Sequence, residues 1–317
     1  MQSSDPSFEE PLIEIRRRIE ELEGYPAGSG HEKELDSLRT ALRKSTAEIY
    51  ANLSRWQKVL VARHQDRPYT LDYVAALMSE WVEIHGDRTF ADDAAIVAGL
   101  AEFRGRSVAV IGHQKGRDTK ERIWRNFGQP RPEGYRKALR VMRMAERFRL
   151  PVLTFIDTAG AYPGLDAEER GQAEAIARNL IEMAELEVPI VVTVTGEGGS
   201  GGALALGVGD RVFILEYATY SVISPEGCAA ILWKDQNKKG EAAEAMKMTA
   251  PDLLQWSVVD AIIPEPPGGA HTDALATCLR VGDAIEGALR ELERLDVRDL
   301  LARRYQKFRA LGAFDEG

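Results

Sequence analysis

Pro189-Ile-Val-Val-Thr-Val-Thr-Gly196-Glu-Gly-Gly-Ser-Gly-Gly-Ala203 is the stretch that decides the fold. Its first half is apolar and β-branched and reads as a buried strand. Its second half holds five glycines in the seven positions Gly196 to Gly202, a composition with a heavy entropic penalty on folding. The small residues from Ala203 to Val208 read as the start of a short helix. A chain tolerates so many glycines where its backbone must approach something closely. Exposed N–H groups at such a junction suit negative charge.

Three readings of the run compete. Gly196-x-Gly198-x-x-Gly201 matches the dinucleotide fingerprint, with Glu216 placed like a ribose-binding acid. Yet barely two turns of helix fit before the next strand near Arg211, too few for a dinucleotide βαβ unit. Gly198-x-Ser200-x-Gly202 matches a nucleophile elbow. That reading needs a downstream histidine, and His271, in a Pro- and Gly-rich loop, is the one available, with Asp252 or Asp260 as the acid. The third reading is an oxyanion hole built of backbone amides, with no nucleophile.

The chain has 317 residues, 44% hydrophobic and 29% charged, enough for a large domain with an appendage. A net charge of −9 argues against non-specific binding to nucleic acid or anionic membrane. Cys228 and Cys278 make neither a four-cysteine zinc site nor a disulfide framework. Met1 to Glu10 carries no apolar targeting segment, and no run is long enough to span a bilayer. A cytoplasmic protein is expected.

Outward from the run, apolar spacing from Phe8 to Leu22 and from Leu35 to Leu60 predicts two amphipathic helices turned at Gly24–Gly30. This hairpin has no core of its own, so it must pack on the main domain or another subunit. Thr70 reads as the N-cap of a helix over Leu71–Ile84. Strands follow at Ala95–Phe103 and Arg106–Gly112, turned at Arg104-Gly105. A helix over Pro132–Arg149 leads to a strand at Pro151–Asp157 and a second glycine turn, Thr158 to Gly164. Ala173, Ile176, Leu180 and Met183 then share a helix face. Two successive strand–glycine turn–helix units imply a largely parallel sheet, with both turns at strand carboxyl ends, where they can wall one site. Helices are expected again over Asp273–Leu295 and Val297–Leu311.

In this order stand GHQKGR (112–117), RNFG (125–128), PEGYRKA (132–138), FIDT (155–158), GAYPG (160–164), EERGQ (168–172), GEGGSGGA (196–203) and YSVISPEGC (220–228). Together they resemble the carboxyltransferase alpha subunits of bacterial acetyl-CoA carboxylase, densely from Arg67 to Pro267. One departure is Ala159, where that family usually has proline. The resemblance implies an α/β, crotonase-like spiral of strand–strand–helix units over residues 67–267. A helical hairpin would occupy 1–66 and a helical segment 268–317. It implies carboxyl transfer from carboxybiotin, held on a biotin carboxyl carrier protein, to acetyl-CoA, giving malonyl-CoA for fatty acid synthesis. It implies a zinc-containing beta subunit, an α2β2 assembly working with biotin carboxylase, and no metal in this chain.

Such chemistry builds negative charge on the ureido oxygen, which needs preorganised N–H donors. Gly201 and Gly202 fit that need, and the resemblance assigns them to the biotin oxygen and the thioester to the partner. The biotin nitrogen can take the methyl proton, so no side-chain base is required. Gly198, Gly199, Gly160 and Tyr162 are expected to line the substrate site. Lys115 and Arg117 are fixed cations for a carboxylated cofactor or a phosphate-bearing substrate, or else a solvated basic loop beside Asp118 and Glu121. Glu197 and Glu226 read as helix-start or turn residues more readily than as acid–base groups.

Overall fold

The computed structural model describes residues 7–26 and 30–312. In chain order the elements are α1 (Glu10–Glu23), α2 (Glu32–Ala51), α3 (Arg55–Ala62), α4 (Thr70–Leu77), β1 (Met78–Glu83), β2 (Ile96–Phe103), β3 (Arg106–His113), α5 (Thr119–Trp124), α6 (Pro132–Phe148), β4 (Val152–Thr158) and α7 (Leu165–Glu169). There follow α8 (Gln172–Glu185), β5 (Ile190–Gly199), α9 (Ser200–Leu204), β6 (Arg211–Leu215), β7 (Thr219–Ser221), α10 (Pro225–Trp233), α11 (Lys239–Met246), α12 (Ala250–Gln255), β8 (Ala261–Ile263), α13 (Ala274–Leu292) and α14 (Val297–Arg309).

One sheet runs in the order β1-β2-β3-β4-β5-β6-β8, with β7 on β5. β1, β2 and β3 pair antiparallel, the last two across the expected Arg104-Gly105 turn, where both residues have positive φ. From β3 to β8 the pairing is parallel, as strand–helix alternation requires. The whole of β5 is buried, as its apolar run predicts. Its first half pairs with β6, and its glycine half, Glu197 to Gly199, pairs with β7. On the other side the β4–β5 register shifts between Ile156 and Thr158, beside Gly196. That irregularity lies where the glycine run begins.

The expected helix over Leu71–Ile84 stops at Leu77, and residues 78–83 form the edge strand β1. Pairing with β2 overrides helical spacing there. The Trp81 ring lies against bare Gly99, where a Cβ would come within 2.7 Å of it. Thr70 is the first helical residue rather than the cap, and its hydroxyl donates to the His113 carbonyl at 2.6 Å. The long second helix breaks at residues 52–54, where Ser54 and Gln57 form a reciprocal capping box that opens α3. Residues 27–29 of the expected hairpin turn lie outside the described residues.

Leu12, Tyr50, Leu53 and Val61 of the helical N-terminal region share a small core with Tyr217 of the sheet domain. The hairpin therefore packs on its own chain. In α8 the inward face is Ala175, Asn179 and Met183, while Ala173 is exposed. α13 sends Val281, Ile285 and Leu289 into the main core. α14 is fastened by Arg304, which is 1% exposed. Its guanidinium donates to Asp210 at 2.7 and 2.9 Å and to the carbonyls of Met183, Leu186 and Val188.

Candidate active site

Ser200 leaves the buried strand β5 with a φ of +53°, and a short helical segment, α9, follows at once. A left-handed residue before a right-handed turn converges successive N–H groups into an anion-binding nest. Gly201 and Gly202 lie in the first turn of α9, whose N–H groups have no acceptor within the helix itself. Gly201 is partly exposed and Gly202 is buried.

The glycines of the run have separable reasons. A Cβ on Gly196 would lie 2.7 Å from the Asp157 carboxyl carbon, and one on Gly198 2.8 Å from the Tyr220 ring. At Gly199 it would overlap the Ala159 carbonyl, and at Gly202 it would reach 2.6 Å from the Gly160 carbonyl carbon. Close packing against the second glycine turn and neighbouring side chains explains all four. It does not explain Gly201, where a Cβ would meet only Ile176, at an ordinary 3.6 Å.

The second wall is the turn after β4. Gly160 has a φ of +150°, a conformation that favours glycine. The Thr158 hydroxyl lies 2.6 Å from the Gly128 carbonyl and 2.9 Å from that of Gly160, and accepts from the Gly160 amide at 3.1 Å. Tyr162 is half-buried, its amide bonded to the Pro130 carbonyl and its ring 4.6 Å from the Arg131 guanidinium. Ala159 keeps its carbonyl against Gly199, so the missing proline leaves that contact in place.

Beneath the cradle, Lys115 Nζ donates to Asp157 Oδ1 at 2.5 Å, and the same oxygen accepts from the Glu197 amide at 2.9 Å. Burial opposes the charge on Lys115, yet Asp157 and Glu197 hold its pKa above the usual lysine range. Arg117 is placed elsewhere. It donates to the carbonyls of Gln65 and Arg67, pairs with Asp72 and stacks 4.0 Å over Tyr69. Lys115 is thus tied to the glycine strand through Asp157, the 158–164 turn that carries Gly160 and Tyr162 packs on Gly199 and Gly202, and Arg117 fastens the end of the N-terminal region.

Sequence reasoning missed Arg63. Its guanidinium donates to Glu197 at 2.6 and 2.9 Å and to Glu226 at 2.6 Å, linking α3 to the glycine strand and to α10. Burial would raise the Glu226 pKa, but Arg63 takes it below the usual carboxylate value. Both carboxylates are therefore held in ion pairs with Arg63. Arg67, fully buried, donates to Glu265 and to the Thr195 carbonyl just before the glycine run. Partners separated by 134 and 198 positions leave no local signal.

His113 is sealed from solvent, and burial pushes its pKa down to about 4. The nucleophile-elbow alternative fails on geometry. Ser200 is exposed with no bond to a histidine, while His271 stacks on His64 with ring centroids 3.8 Å apart. That pair borders a separate cavity of about 390 Å³ with Arg16 and Thr46. No group of three or more His, Cys, Asp or Glu among the described residues is placed to hold a metal.

Residues 6–312 match the family described as acetyl co-enzyme A carboxylase carboxyltransferase-like. The chain is 58% identical over 310 residues to the acetyl-coenzyme A carboxylase carboxyl transferase subunit alpha of Geobacter metallireducens, covering 98% of each. It is 57% identical to that of Thiobacillus denitrificans, covering 100% of this chain and 99% of the relative. Among solved structures, a Pseudomonas malonate decarboxylase hetero-tetramer is similar at 18% identity and a TM-score of 0.58, over 76% of this chain and 95% of that one. Transcarboxylase 12S is similar at 21% identity and a TM-score of 0.53, over 69% and 42%. At such identities these structures speak for the fold, which is crotonase-like as expected.

Proposed function

The chain belongs to the acetyl-coenzyme A carboxylase carboxyltransferase family, and we propose that it supplies the biotin-side half of that family's active site. The protein is a carboxyltransferase subunit that moves a carboxyl group from carboxybiotin on a carrier protein to acetyl-CoA, yielding malonyl-CoA. One observation carries the assignment of the site: the first-turn amides of Gly201 and Gly202 in α9, where packing does not require the glycine at 201. A glycine inside a helix costs about 1 kcal/mol relative to alanine. Something outside the chain must use the space.

The residues present fit a biotin ureido group. Carboxybiotin brings the carboxyl group and an oxygen on which negative charge gathers. This chain's part is to aim the amides of Gly201 and Gly202 at that oxygen, each such donor lowering a barrier by roughly 3 kcal/mol. Gly160, Gly198 and Gly199 let the two turns close on each other. Tyr162 borders the opening. Lys115 holds Asp157, which in turn fixes the Glu197 amide and the glycine strand. Arg63 braces the same strand from α3. In this reading residues 1–66 and 268–317 are braces on the carboxyltransferase core at 67–267. Arg117 acts as a fastener rather than a substrate cation.

The thioester and coenzyme A fall to a beta subunit of related fold, which carries the zinc. The working assembly is α2β2, served by the carrier protein and biotin carboxylase, in the cytoplasm. No helix among the described residues is long and apolar enough to cross a membrane. The test is to mix the purified chain with a candidate beta subunit, malonyl-CoA and biocytin. Acetyl-CoA should form only when both subunits are present. Formation by either alone, or by neither pairing, overturns the assignment.

A further inference from the structure

Three consecutive residues, Asn126, Phe127 and Gly128, have positive φ values of 46°, 56° and 73°. L residues rarely take this conformation, and two in succession need surroundings that hold them there. The surroundings do. Asn126 Nδ2 donates to the Gln129 carbonyl at 2.7 Å, and the Gly128 amide to the Arg125 carbonyl at 2.9 Å. Arg125 is pinned to Glu121 and to the Ala94 carbonyl. The Gly128 carbonyl meets the Thr158 hydroxyl, and a Cβ on Gly128 would press into Lys115 at 2.7 Å.

This left-handed turn has a visible product. Phe127, in the middle of the turn, is 57% exposed, and Ile123 and Trp124, four and three positions earlier in the chain, are 63% exposed each. Large apolar side chains grouped in this way beside a polar cradle call for an apolar occupant. The position identifies it. One hydroxyl, that of Thr158, joins the turn to Gly160, which packs directly on Gly202. This wall is therefore the neighbour of a ligand whose oxygen sits on the amides of Gly201 and Gly202. Biotin attached to lysine has the matching chemistry: a polar ureido edge, an apolar sulfur-containing ring and an aliphatic arm.

Resting on the carboxyltransferase reading above, we infer that Phe127, held out by the left-handed turn, is the apolar wall on which the biotinyl-lysine arm packs. Phe127 contacts substrate, and Asn126 and Thr158 are positioning residues that keep its ring in place. The experiment uses the assembled complex with its beta subunit, malonyl-CoA and biocytin. Phe127→Ala should raise KM for biocytin by about tenfold, the loss expected for an uncovered aromatic contact. KM for malonyl-CoA and the mass of the complex should stay unchanged, and Phe127→Leu should recover most of the affinity. An unchanged KM for biocytin overturns the inference. So does a complex that dissociates, which would assign the patch to subunit contact, and so does an equal rise in both KM values. If the complex of the unaltered chain transfers no carboxyl group, the functional reading itself falls and takes this inference with it.

Discussion

Alanine at position 202 and alanine at position 201 should fail in different ways, although the two glycines are adjacent. At 202 the new methyl would sit 2.6 Å from the Gly160 carbonyl carbon and 3.0 Å from its Cα. Those are backbone atoms, tied down by Thr158, so α9 or the 158–164 turn must retreat by roughly 1 Å. Overpacking of this kind costs about 1–3 kcal/mol, partly offset by about 1 kcal/mol of helix propensity. A fall of about 2 °C in Tm per kcal/mol lost follows for a chain of this size. The same displacement misaligns the amides, and an error of 1 Å in a catalytic group can cost about 10²-fold. At 201 the methyl meets only Ile176 at 3.6 Å, so Tm should hold or rise. Activity should still drop about 10²-fold, because the methyl occupies the face on which the ureido oxygen descends. Calorimetry on the chain and malonyl-CoA-dependent carboxylation of biocytin by the complex read the two effects separately. Full activity in Gly201→Ala refutes the cradle assignment. A Tm for Gly202→Ala equal to or above that of Gly201→Ala refutes the packing argument.

Ser200→Ala should keep carboxyl transfer within about twofold, as for an exposed side chain outside any bonded feature, and abolished transfer would revive the nucleophile reading. Arg304→Lys replaces a fork that satisfies Asp210 and three carbonyls with a point charge. A loss of about 3 kcal/mol and faster proteolytic cutting near residues 293–297 are expected, and unchanged cutting would contradict that anchoring role. Burial holds His113 and His271 neutral in the folded chain, with pKa values of about 4 and about 3, below the ordinary 6.5. The unfolded chain therefore binds more protons below about pH 6.5, and stability falls as pH drops from there toward about 4. The slope is up to about 1.4 kcal/mol per pH unit for each histidine. Urea midpoints at pH 7 and pH 5 should show this fall, and His271→Gln should remove about half of it. An unchanged difference in that variant would show that His271 is not buried neutral.

Much of the architecture was legible without coordinates, because strand burial and glycine turns leave local patterns. The β-branched run ending at Thr195, the 104–105 hairpin turn and the paired strand–glycine units all read correctly. Residues 78–83 did not, since their strand exists only through pairing with β2. The break before α3 had its signal in Ser54-x-x-Gln57, masked by continuous apolar spacing on either side. At the site, the residues alone left three readings open, and the likeness to a carboxyltransferase family is what favoured a backbone cradle without a side-chain catalyst. Composition could not separate one glycine from another. That distinction comes from what lies across the gap: Asp157 under Gly196, Tyr220 against Gly198, the 158–164 turn against Gly199 and Gly202, and open space at Gly201.

By itself the sequence determined local conformational freedom, the order of the elements and the likeness to a carboxyltransferase family, because these depend on neighbours along the chain. Tertiary structure alone decided which charges meet. Arg63 reaches Glu197 across 134 residues, and Lys115 spends its charge on Asp157. Arg117 turns toward the N-terminal helices instead of the cradle. The reason is physical: an ion pair forms wherever folding brings two groups within a few ångströms, and spacing along the chain carries no record of that distance.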